Sequence, residues 1–281
     1  MKLLVFGKTG QAATELQRLA DVRALDRTEA DLENPQACAR IIADSDADVI
    51  VNAAAFTNVD GAEFEPEKAK FVNCLAPGAM AVAAAKKGRP FLHISTDYVF
   101  DGSGQAPWAT DARPAPLGAY GRSKLAGEKA VRSAGGKSII LRTSWVFSAH
   151  QNNFVKSMLK LGNTRSEVAV VSDQIGGPTS AADIAVALLS IAQQMHDGRA
   201  VAGTYHYCGA PYVSWADFAR EIFRQADLGA KVCDISSADY PSPARRPANS
   251  RLDCNVTETI FGLKQPDWRV SLGQVLQELG A

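Results

Sequence analysis

The sequence predicts an α/β protein with a Rossmann-type, doubly wound parallel sheet and a smaller C-terminal lobe. In the first half of the chain, short and nearly continuous apolar runs alternate with longer helix-like segments. Such runs are typical of parallel strands that are covered on both faces, and the alternation is typical of βαβ units. A glycine-rich turn directly follows the first run, and the alternation becomes irregular after Trp145. A length of 281 residues, 46% of them hydrophobic, suits a large domain with a smaller lobe.

The first half is predicted to supply the strands of the sheet and the helices that cover it. Strands are expected at 3–6, 22–25, 49–51, 91–94 and 139–141, and helices at about 12–20, 35–43, 65–87 and 120–134. Because crossovers between parallel strands have one hand, the carboxyl ends of these strands should share one edge of the sheet, where ligands bind. The glycine turn and the segments 52–57 and 95–97 fall at such ends.

The second half is predicted to be less regular. Helices are expected at 152–161, 180–194, 214–225 and 271–279, and strands at 168–171 and 203–208. The helix at 180–194 has a strong apolar face and should pack back on the sheet. The segment 236–249 is rich in proline, serine and arginine and is predicted to be a loop.

The charge balance and the cysteines exclude several classes of function. Thirty Lys and Arg residues balance thirty Asp and Glu residues, so we expect no nucleic-acid partner and no membrane partner. The five cysteines have no CxxC spacing, which suits reduced thiols in a cytoplasmic protein better than a zinc knuckle or a disulfide framework. The apolar run at 3–6 is too short for a signal peptide or a membrane span.

The turn after the first strand is predicted to hold the pyrophosphate of a nicotinamide dinucleotide. Gly7 permits the tight strand-to-helix turn, Gly10 lets the backbone approach the pyrophosphate at the helix N-terminus, and Ala13 still allows close helix packing. Asp26 ends the second strand, where a carboxylate usually binds the adenosine ribose, whereas the neighbouring Arg27 could neutralise a 2′-phosphate. NADPH and NADH therefore both stay open as the cofactor.

Further cofactor contacts are predicted at the neighbouring strand ends. Small residues after the third strand would let the backbone lie beside the cofactor, and Asp31 could either border the adenine or cap a helix. The full predicted cofactor-binding set is Gly7, Thr9, Gly10, Gln11, Ala12, Asp26, Arg27, Asp31, Leu32, Ala53, Ala54, Ala55, Phe56, Thr57, Tyr120 and Lys124.

Tyr120, Lys124 and Thr96 form the predicted catalytic set. Reduction of a ketone needs a hydride on carbon and a proton on oxygen, and a phenol with its ordinary pKa near ~10 gains acidity beside an ammonium. Tyr120 and Lys124 lie one helical turn apart, so we expect Lys124 to lower the pKa of Tyr120. Thr96 follows the fourth strand and can hold the substrate oxygen. With the glycine turn, this set indicates hydride transfer to or from a nicotinamide.

These motifs resemble those of the extended short-chain dehydrogenase/reductases and, more narrowly, of the dTDP-4-dehydrorhamnose reductase family. The resemblance covers nearly the whole chain and is carried by FGKTGQ (6–11), VNAAAFTNVDGAE (51–63), STDYVFDG (95–102), YGRSKLAGE (120–128), RTSWVF (142–147), DQIGGPT (173–179) and PARRPANSRLD (243–253). It implies hydride transfer to C4 of a dTDP-4-dehydro-6-deoxy-L-hexose, with Tyr120 as the proton donor and with Lys124 and Thr96 assisting. We accordingly predict an NAD(P)-binding domain over 1–145 with about 180–200, and a substrate-binding lobe over 146–179 and 201–281.

The same resemblance implies residues that bind the dTDP-sugar. The indole face of Trp145 suits the apolar side of a deoxysugar, and arginine forks in the proline-rich loop suit the diphosphate. The predicted substrate-binding set is Thr96, Asp97, Trp145, Asn153, Arg245, Arg246, Asn249 and Arg251. Which arginine binds the diphosphate stays open.

Some members of this family are described as holding Mg²⁺ between acidic residues where two subunits meet. The matching positions here are Glu15, Asp183 and Glu278, and Asp183 is shorter than the glutamate usual there. Ordinary surface carboxylates are the alternative interpretation. A Mg²⁺ ion and a homodimer both stay open.

Two other functions use a similar set of motifs. A nucleotide-sugar epimerase or dehydratase keeps its NAD bound, but a dehydratase usually has a second acid beside the catalytic threonine, and here Tyr98 follows Asp97. A relative of the family serves as an NADP-binding regulatory subunit of methionine adenosyltransferase, and fold alone does not exclude that role. The intact Tyr120, Lys124 and Thr96 favour an enzyme.

Overall fold

The computed structural model describes residues 1–281 and contains thirteen β-strands and eleven α-helices. The strands are β1 (Leu3–Phe6), β2 (Val22–Leu25), β3 (Val49–Asn52), β4 (Phe91–Thr96), β5 (Ser138–Thr143), β6 (Val146–Phe147), β7 (Glu167–Val171), β8 (Ile175–Gly176), β9 (Thr179–Ser180), β10 (Gly203–His206), β11 (Val213–Ser214), β12 (Lys231–Ile235) and β13 (Asn249–Ser250). The helices are α1 (Gln11–Leu19), α2 (Pro35–Asp44), α3 (Gly61–Phe64), α4 (Pro66–Lys70), α5 (Ala76–Lys86), α6 (Ala119–Ser133), α7 (Phe154–Thr164), α8 (Ala181–His196), α9 (Trp215–Gln225), α10 (Asn255–Phe261) and α11 (Trp268–Leu279).

Six strands form one sheet in the order β10-β5-β4-β3-β1-β2, and every neighbouring pair is parallel. This confirms the predicted fold class. The chain first moves from β1 outwards to β2 and then returns to the other side of β1 with β3, so the strand order reverses between β1 and β3. In sheets of this kind a ligand cleft lies at that reversal, beyond the carboxyl ends of the strands.

Helices cover both faces of the sheet, which explains why its strands are apolar on both sides. In β1, Leu3 and Val5 face a core that includes α1 and α8, whereas Leu4 and Phe6 face a core that includes α2 and α5. All four side chains are buried. The position of α8 on the sheet is the one that its apolar face predicts.

The smaller lobe has an apolar core of its own. Phe147, Phe218 and Trp268 are among the buried residues of this core, which joins α7, α9 and α11 to the parallel pair of β7 and β12. None of the helices combines the length and the apolarity that crossing a membrane requires.

The segment 203–208, which the sequence prediction assigns to the smaller lobe, extends the large sheet instead. β10 pairs in parallel with β5, and its neighbour Tyr207 and its own Tyr205 are buried in the core that contains α8. Strand β10 therefore belongs to the same core as α8, the helix that it packs against. Apart from this strand, the domain boundaries remain a prediction.

The single helix expected at 65–87 is divided into α4, a π-helical turn at Phe71–Leu75, and α5. Pro77 explains the break, since its ring excludes a regular helical contact with the carbonyl of Asn73, four residues earlier. That carbonyl packs so closely on α6 that a Cβ on Gly127 would lie 2.0 Å from its oxygen. The Asn73 side chain is bonded to both the N–H and the C=O of Phe56, which fixes the loop after β3.

A buried ion pair ties β4, β5, α6 and β10 together. Arg142 donates to both carboxylate oxygens of Glu128, at 2.8 and 2.7 Å, and Ser95 donates to Glu128 Oε1 at 2.6 Å. Arg142 Nη1 also lies 3.3 Å from Nε2 of the buried His206. This group of four side chains is called the Glu128 network below.

Candidate active site

A cleft of about 860 Å³ opens where the strand order reverses, a size typical of cofactor and small-molecule sites. Its lining comes from the turn after β1, the ends of β2 to β5, the first turns of α6 and the segment after β5. Every residue of the predicted cofactor-binding set lies in this lining. So do four residues of the predicted substrate-binding set, namely Thr96, Asp97, Trp145 and Asn153.

The glycine turn brings the backbone after β1 against the backbone after β3. Gly7 has φ +107°, and a Cβ there would lie 2.9 Å from the backbone nitrogen of Ala54. Only glycine meets both conditions without strain. Gly10 precedes α1 and offers no capping side chain, so the first N–H groups of that helix have no side-chain acceptor and are suited to bind an anion.

The segment 148–153 closes over this turn. Gln11 Oε1 accepts hydrogen bonds from Ser148 Oγ at 2.7 Å and from Asn153 Nδ2 at 3.1 Å. Gln151 Nε2 donates to the carbonyl of Thr9 at 2.9 Å. Asn153 also caps α7 by accepting from the N–H of Lys156, so its side chain links the smaller lobe to the glycine turn.

The end of β2 presents an anion and a cation side by side. Hydrogen bonds from Thr28 hold the pKa of the Asp26 carboxyl below its usual value, and the Lys8 ammonium lies 4.0 Å from that carboxylate. Arg27 pairs with Glu33 and lies 3.6 Å from Asp31. The two residue types that distinguish NADH from NADPH are thus both present, and the choice between the cofactors stays open.

Tyr120 and Lys124 lie on one face of α6 and are buried beneath the cleft. Lys124 Nζ donates to the carbonyl of Ile94 at 2.8 Å and lies 3.4 Å from His93 Nε2. Burial lowers the pKa of Lys124 to about 8, against the opposing effect of Glu128. The Tyr120 ring packs edge-on against the ring of Tyr98.

The expectation that Lys124 lowers the pKa of Tyr120 is wrong for this structure. Burial raises the pKa of the Tyr120 phenol above its usual value, and the Thr96 hydroxyl only partly opposes this effect. The Lys124 amine is turned towards the carbonyl of Ile94 and towards His93, so it does not offset the effect of burial on the pKa of the phenol. The buried phenol therefore carries its proton at neutral pH.

Thr96 and Asp97 lie at the mouth of β4, and Thr143 lies opposite Thr96 on β5. Thr96 Oγ1 donates to Asp97 Oδ1 at 3.0 Å and accepts from the N–H of Tyr98. Asp97 Oδ2 and Thr143 Oγ1 are buried without a hydrogen-bond partner, and they are the two such side-chain atoms in the chain. Burial raises the pKa of the Asp97 carboxyl to about 6. Unpaired buried polar atoms that line a cleft are suited to a polar ligand.

Trp145 follows β5 with a left-handed backbone, φ +49°. Its ring stacks on Trp215, with 3.6 Å between ring centroids and 10° between planes. Gly176 lies beneath the indole, since a Cβ there would come within 2.6 Å of it. Packing thus holds Trp145 in a backbone conformation that L-residues seldom adopt.

The proline-rich loop lies outside the cleft lining. Arg246 Nη2 donates to Asp60 Oδ2 at 2.8 Å, which ties this loop to the loop after β3. Asn249 is buried and accepts from the N–H and Nη1 of Arg251. Of the predicted substrate-binding residues, Arg245, Arg246, Asn249 and Arg251 therefore lie outside the cleft lining.

The three carboxylates considered for Mg²⁺ do not form a metal site. Arg18 donates to both Glu15 and Glu278, at 3.2 and 2.9 Å, and Asp183 accepts from two serine hydroxyls at 2.6 Å. No group of three or more His, Cys, Asp or Glu side chains in the chain could hold a metal ion. Within one chain these carboxylates are bonded to arginine and hydroxyl donors, whereas the resemblance implies a site shared by two subunits.

Thr143, His93 and Trp215 were not assigned to the site from the sequence. Thr143 lies in the RTSWVF segment. The register of β4 and β5 pairs it with Thr96, and that pairing could have located it at the cleft. His93 sits inside an apolar run, and Trp215 lies on α9 in the other lobe. No local sequence signal connects either residue to the cleft.

Comparison with known proteins gives a consistent result over the full length of the chain. Residues 1–281 match the family described as RmlD substrate binding domain. A dTDP-4-dehydrorhamnose reductase of Sinorhizobium fredii is 46% identical over 99% of this chain and 98% of its own length. The crystal structure of a dTDP-4-dehydrorhamnose reductase from Clostridium acetobutylicum superposes with a TM-score of 0.93 at 35% identity, covering both chains completely. A Bacillus anthracis structure of the same name, in complex with NADP, has a TM-score of 0.91 at 33% identity and covers 99% of each chain.

Proposed function

Because the chain belongs to the family of the RmlD substrate binding domain, we propose that it is an NAD(P)H-dependent dTDP-4-dehydrorhamnose reductase. It transfers a hydride to C4 of dTDP-4-dehydro-L-rhamnose and gives dTDP-L-rhamnose. Relatives of that name match the chain from end to end, and one of them binds NADP.

One observation carries the proposal. Tyr120, Lys124 and Thr96 line the same cleft as the glycine turn. A dinucleotide held by the turn would thus share the cleft with the groups that move a proton. The chemistry of these three side chains, and not the fold alone, therefore supports a reductase.

The residues at the turn fit a dinucleotide. Gly7 lets the turn pack directly on the backbone of Ala54, and the uncapped N-terminus of α1 suits a pyrophosphate. When bound, a reduced nicotinamide supplies the hydride. Asp26 would take the adenosine ribose hydroxyls, while Lys8 and Arg27 are the cations nearest to a 2′-phosphate.

Tyr120 is the proposed proton donor. Its phenol is protonated at neutral pH, since its ordinary pKa near ~10 is already higher and burial raises it further, so it can protonate the C4 oxygen as the hydride arrives on carbon. Thr96 holds that oxygen beside the phenol. Lys124 supports the proton transfer from one helical turn away.

The sugar is proposed to lie against Trp145 and to bond the unpaired Asp97 Oδ2 and Thr143 Oγ1. An indole face suits the apolar side of a deoxysugar, and buried acceptors suit its hydroxyls. For the diphosphate we propose Arg246, whose guanidinium is held at the loop after β3 by Asp60.

Mg²⁺ has no part in this proposal, since the carboxylates of Glu15, Asp183 and Glu278 are engaged elsewhere. A homodimer and a cytoplasmic location remain predictions of the sequence.

The first experiment mixes the purified protein with NADPH, or with NADH, and freshly prepared dTDP-4-dehydrorhamnose, and follows the absorbance of the reduced nicotinamide. Consumption is expected, and its rate ranks the two cofactors. Tight nicotinamide binding without consumption would contradict the proposal and favour a binding subunit. Conversion of a nucleotide sugar without net consumption would favour an epimerase.

The proton donor is tested with Tyr120→Phe, which is expected to lose activity on the order of 10²-fold or more while still binding the cofactor. Tyr205→Phe is the matched control, since it removes a buried phenol that donates to the carbonyl of Val201, away from the cleft. Near-normal turnover in Tyr120→Phe would remove Tyr120 from the proposed role.

A further inference from the structure

Three buried polar side chains form a line beneath the cleft, from β3 through β4 to α6. Asn52 and His93 are neighbours in the register of the parallel sheet, and Lys124 reaches them from α6. Asn52 and His93 are 0% exposed and Lys124 is 2% exposed. Groups buried this deeply must satisfy one another's hydrogen bonds.

The orientation of the Asn52 amide is fixed by the backbone. Its Oδ1 accepts from the N–H of Ala54 at 3.1 Å, so its Nδ2 group faces His93 Nδ1, also at 3.1 Å. An amide NH₂ only donates, and Nδ1 must therefore be the acceptor. Because a neutral imidazole carries one proton, that proton lies on Nε2.

This tautomer directs an N–H at the amine of Lys124. His93 Nε2 is 3.4 Å from Lys124 Nζ, and the same Nζ donates to the carbonyl of Ile94 at 2.8 Å. An ammonium has no lone pair and cannot accept from His93, whereas a neutral amine accepts one hydrogen bond and still donates two. The arrangement therefore suits the neutral amine that remains once the ammonium has given up a proton.

We propose that His93 is a positioning residue which, oriented by Asn52, donates Nε2–H to Lys124 and stabilises the amine after it has given up a proton. The inference rests on the proposed reductase function for its catalytic meaning. After Tyr120 has protonated the C4 oxygen, the O–H bond of the phenol is lost and a phenolate remains. The Lys124 ammonium then gives one N–H proton, through water in the cleft, to the phenolate oxygen of Tyr120 and restores the phenol. The neutral amine that remains accepts a hydrogen bond from His93, and it regains its proton from the solvent, which supplies the one proton that the reduction consumes.

The other charged and titratable groups around Lys124 do not remove this effect. Glu128, one turn further along α6, favours the ammonium, but its carboxylate is already bonded to Arg142 and Ser95. Tyr120 faces the cleft as a neutral phenol, and Asp97 bonds to Thr96. Burial acts in the same direction as His93 and lowers the pKa of Lys124. Burial and the nearby Lys124 also hold the pKa of His93 well below its usual value, so the imidazole is neutral.

The decisive measurement is an NMR titration of the ligand-free protein labelled with ¹³C and ¹⁵N in lysine. A Lys124→Gln variant assigns the resonance, which should titrate with a pKa of about 8. In His93→Asn, the shorter amide can still accept from Asn52 but no longer reaches Lys124. We expect the pKa of Lys124 to rise by about one unit, because an N–H donor to an amine favours its neutral form.

His206→Asn is the matched control, since His206 is also 0% exposed and neutral but faces Arg142 instead of Lys124. The His206→Asn variant should destabilise the sheet and leave the pKa of Lys124 unchanged. An unchanged or lowered pKa in a folded His93→Asn variant would overturn the proposal. Because the titration needs no turnover, failure of the reductase assay and failure of this proposal are separate results.

A second measurement uses the natural chain, in case His93→Asn does not fold. The ring ¹⁵N shifts of a protein labelled in its four histidines report the tautomer of each one. His93 is expected with its proton on Nε2. A proton on Nδ1 would contradict the hydrogen-bond assignment and with it the role of His93. In active protein, the pH at which kcat/KM changes should move upwards in His93→Asn together with the pKa of Lys124.

Discussion

Two consecutive positions on β4 and β5 behave in opposite ways. Ser95 and Arg142 lie opposite each other in the parallel register, and Thr96 and Thr143 form the next pair along. All four side chains are buried. The first pair belongs to the Glu128 network, whereas the second pair lies at the cleft.

The Glu128 network satisfies its charges completely. Each oxygen of Glu128 has a donor within 2.8 Å, and Arg142 reaches His206 as well. At the next position, Thr143 Oγ1 has no partner, and neither has Oδ2 of the adjacent Asp97. Buried polar groups cost free energy unless they are paired.

The comparison separates residues that stabilise the fold from residues of the candidate site. A step of one residue along the two strands leads from a fully paired network to Thr143 Oγ1 and, beside Thr96, to Asp97 Oδ2, which are both unpaired. The unpaired atoms are retained at a cost in stability that a ligand can offset. Stability and binding should therefore respond oppositely to substitutions in the two places. Three substitutions test this, and a fourth, at Arg246, extends the test to the proline-rich loop.

The largest change in stability is expected for Glu128→Gln. It leaves the Arg142 guanidinium buried without its carboxylate, which should lower the free energy of unfolding by about 3–5 kcal/mol. Urea denaturation followed by circular dichroism measures this. The double variant Glu128→Gln/Arg142→Met removes the unpaired charge and should be less destabilised than the single one. Equal destabilisation of the two would mean that the ion pair is not what holds these elements together.

The next effect has the opposite sign. The folded protein keeps the Asp97 proton up to a pKa of about 6, above the ordinary value of 3.8. The free energy of unfolding therefore falls as the pH rises from about 4 to 6, and the full cost is present at pH 7. Asp97→Asn should stabilise the protein at pH 7 by about 1–3 kcal/mol, while kcat/KM falls by about tenfold or more.

Denaturation at several pH values checks this prediction. The stability difference between Asp97→Asn and the natural protein should vanish below about pH 4, where the carboxyl is protonated in both the folded and the unfolded state. A variant that is less stable at pH 7 would show that the Asp97 carboxylate is paired after all.

A smaller gain is expected for Thr143→Val. The substitution replaces an unpaired buried hydroxyl by a methyl group of similar shape, which should change stability by no more than about 1 kcal/mol, in the stabilising direction. The KM for the dTDP-sugar should rise several-fold. Thr143→Ser keeps the hydroxyl and serves as the control. If both variants keep the natural KM, the hydroxyl does not contact the substrate.

The smallest change in stability is expected for Arg246→Ala. Its pair with Asp60 is partly exposed, with 24% and 38% of the two side chains accessible, and pairs of that kind contribute about 0–1 kcal/mol. The KM for the nucleotide sugar should nevertheless rise, with no change in nicotinamide affinity. Asp60→Asn separates the two roles, because it weakens the pair and leaves the guanidinium charge in place. An unchanged KM in Arg246→Ala would assign the diphosphate to another residue.

Local patterns were sufficient to predict the sheet, the glycine turn and the pairing of Tyr120 with Lys124 on one helical face. Each depends on residues within a few positions of one another, such as Gly7 and Gly10. The break in the helix at 65–87 was also encoded locally, by Pro77, but its form depends on the packing of Asn73 against Gly127.

What could not be predicted depends on contacts between distant segments. Thr143 joins the cleft through strand register, and Arg246 is turned towards Asp60, 186 residues earlier in the chain. The pKa of Tyr120 is raised rather than lowered because its depth, and the direction of the Lys124 amine, are three-dimensional properties. A YxxxK spacing specifies a shared face but not which neighbour the amine bonds.

The stacking of Trp145 on Trp215 gives the molecule an optical reporter of its cleft. Two indoles held face to face with 3.6 Å between their centroids couple their excited states, and the pair should give a signed doublet in circular dichroism. Both rings line the cleft, so a reduced nicotinamide bound there should accept their excitation and quench their emission. A fluorescence titration with NADPH would then follow cofactor occupancy without any label. Trp215→Phe should abolish the doublet, while Trp145 and the two tryptophans outside the cleft still emit.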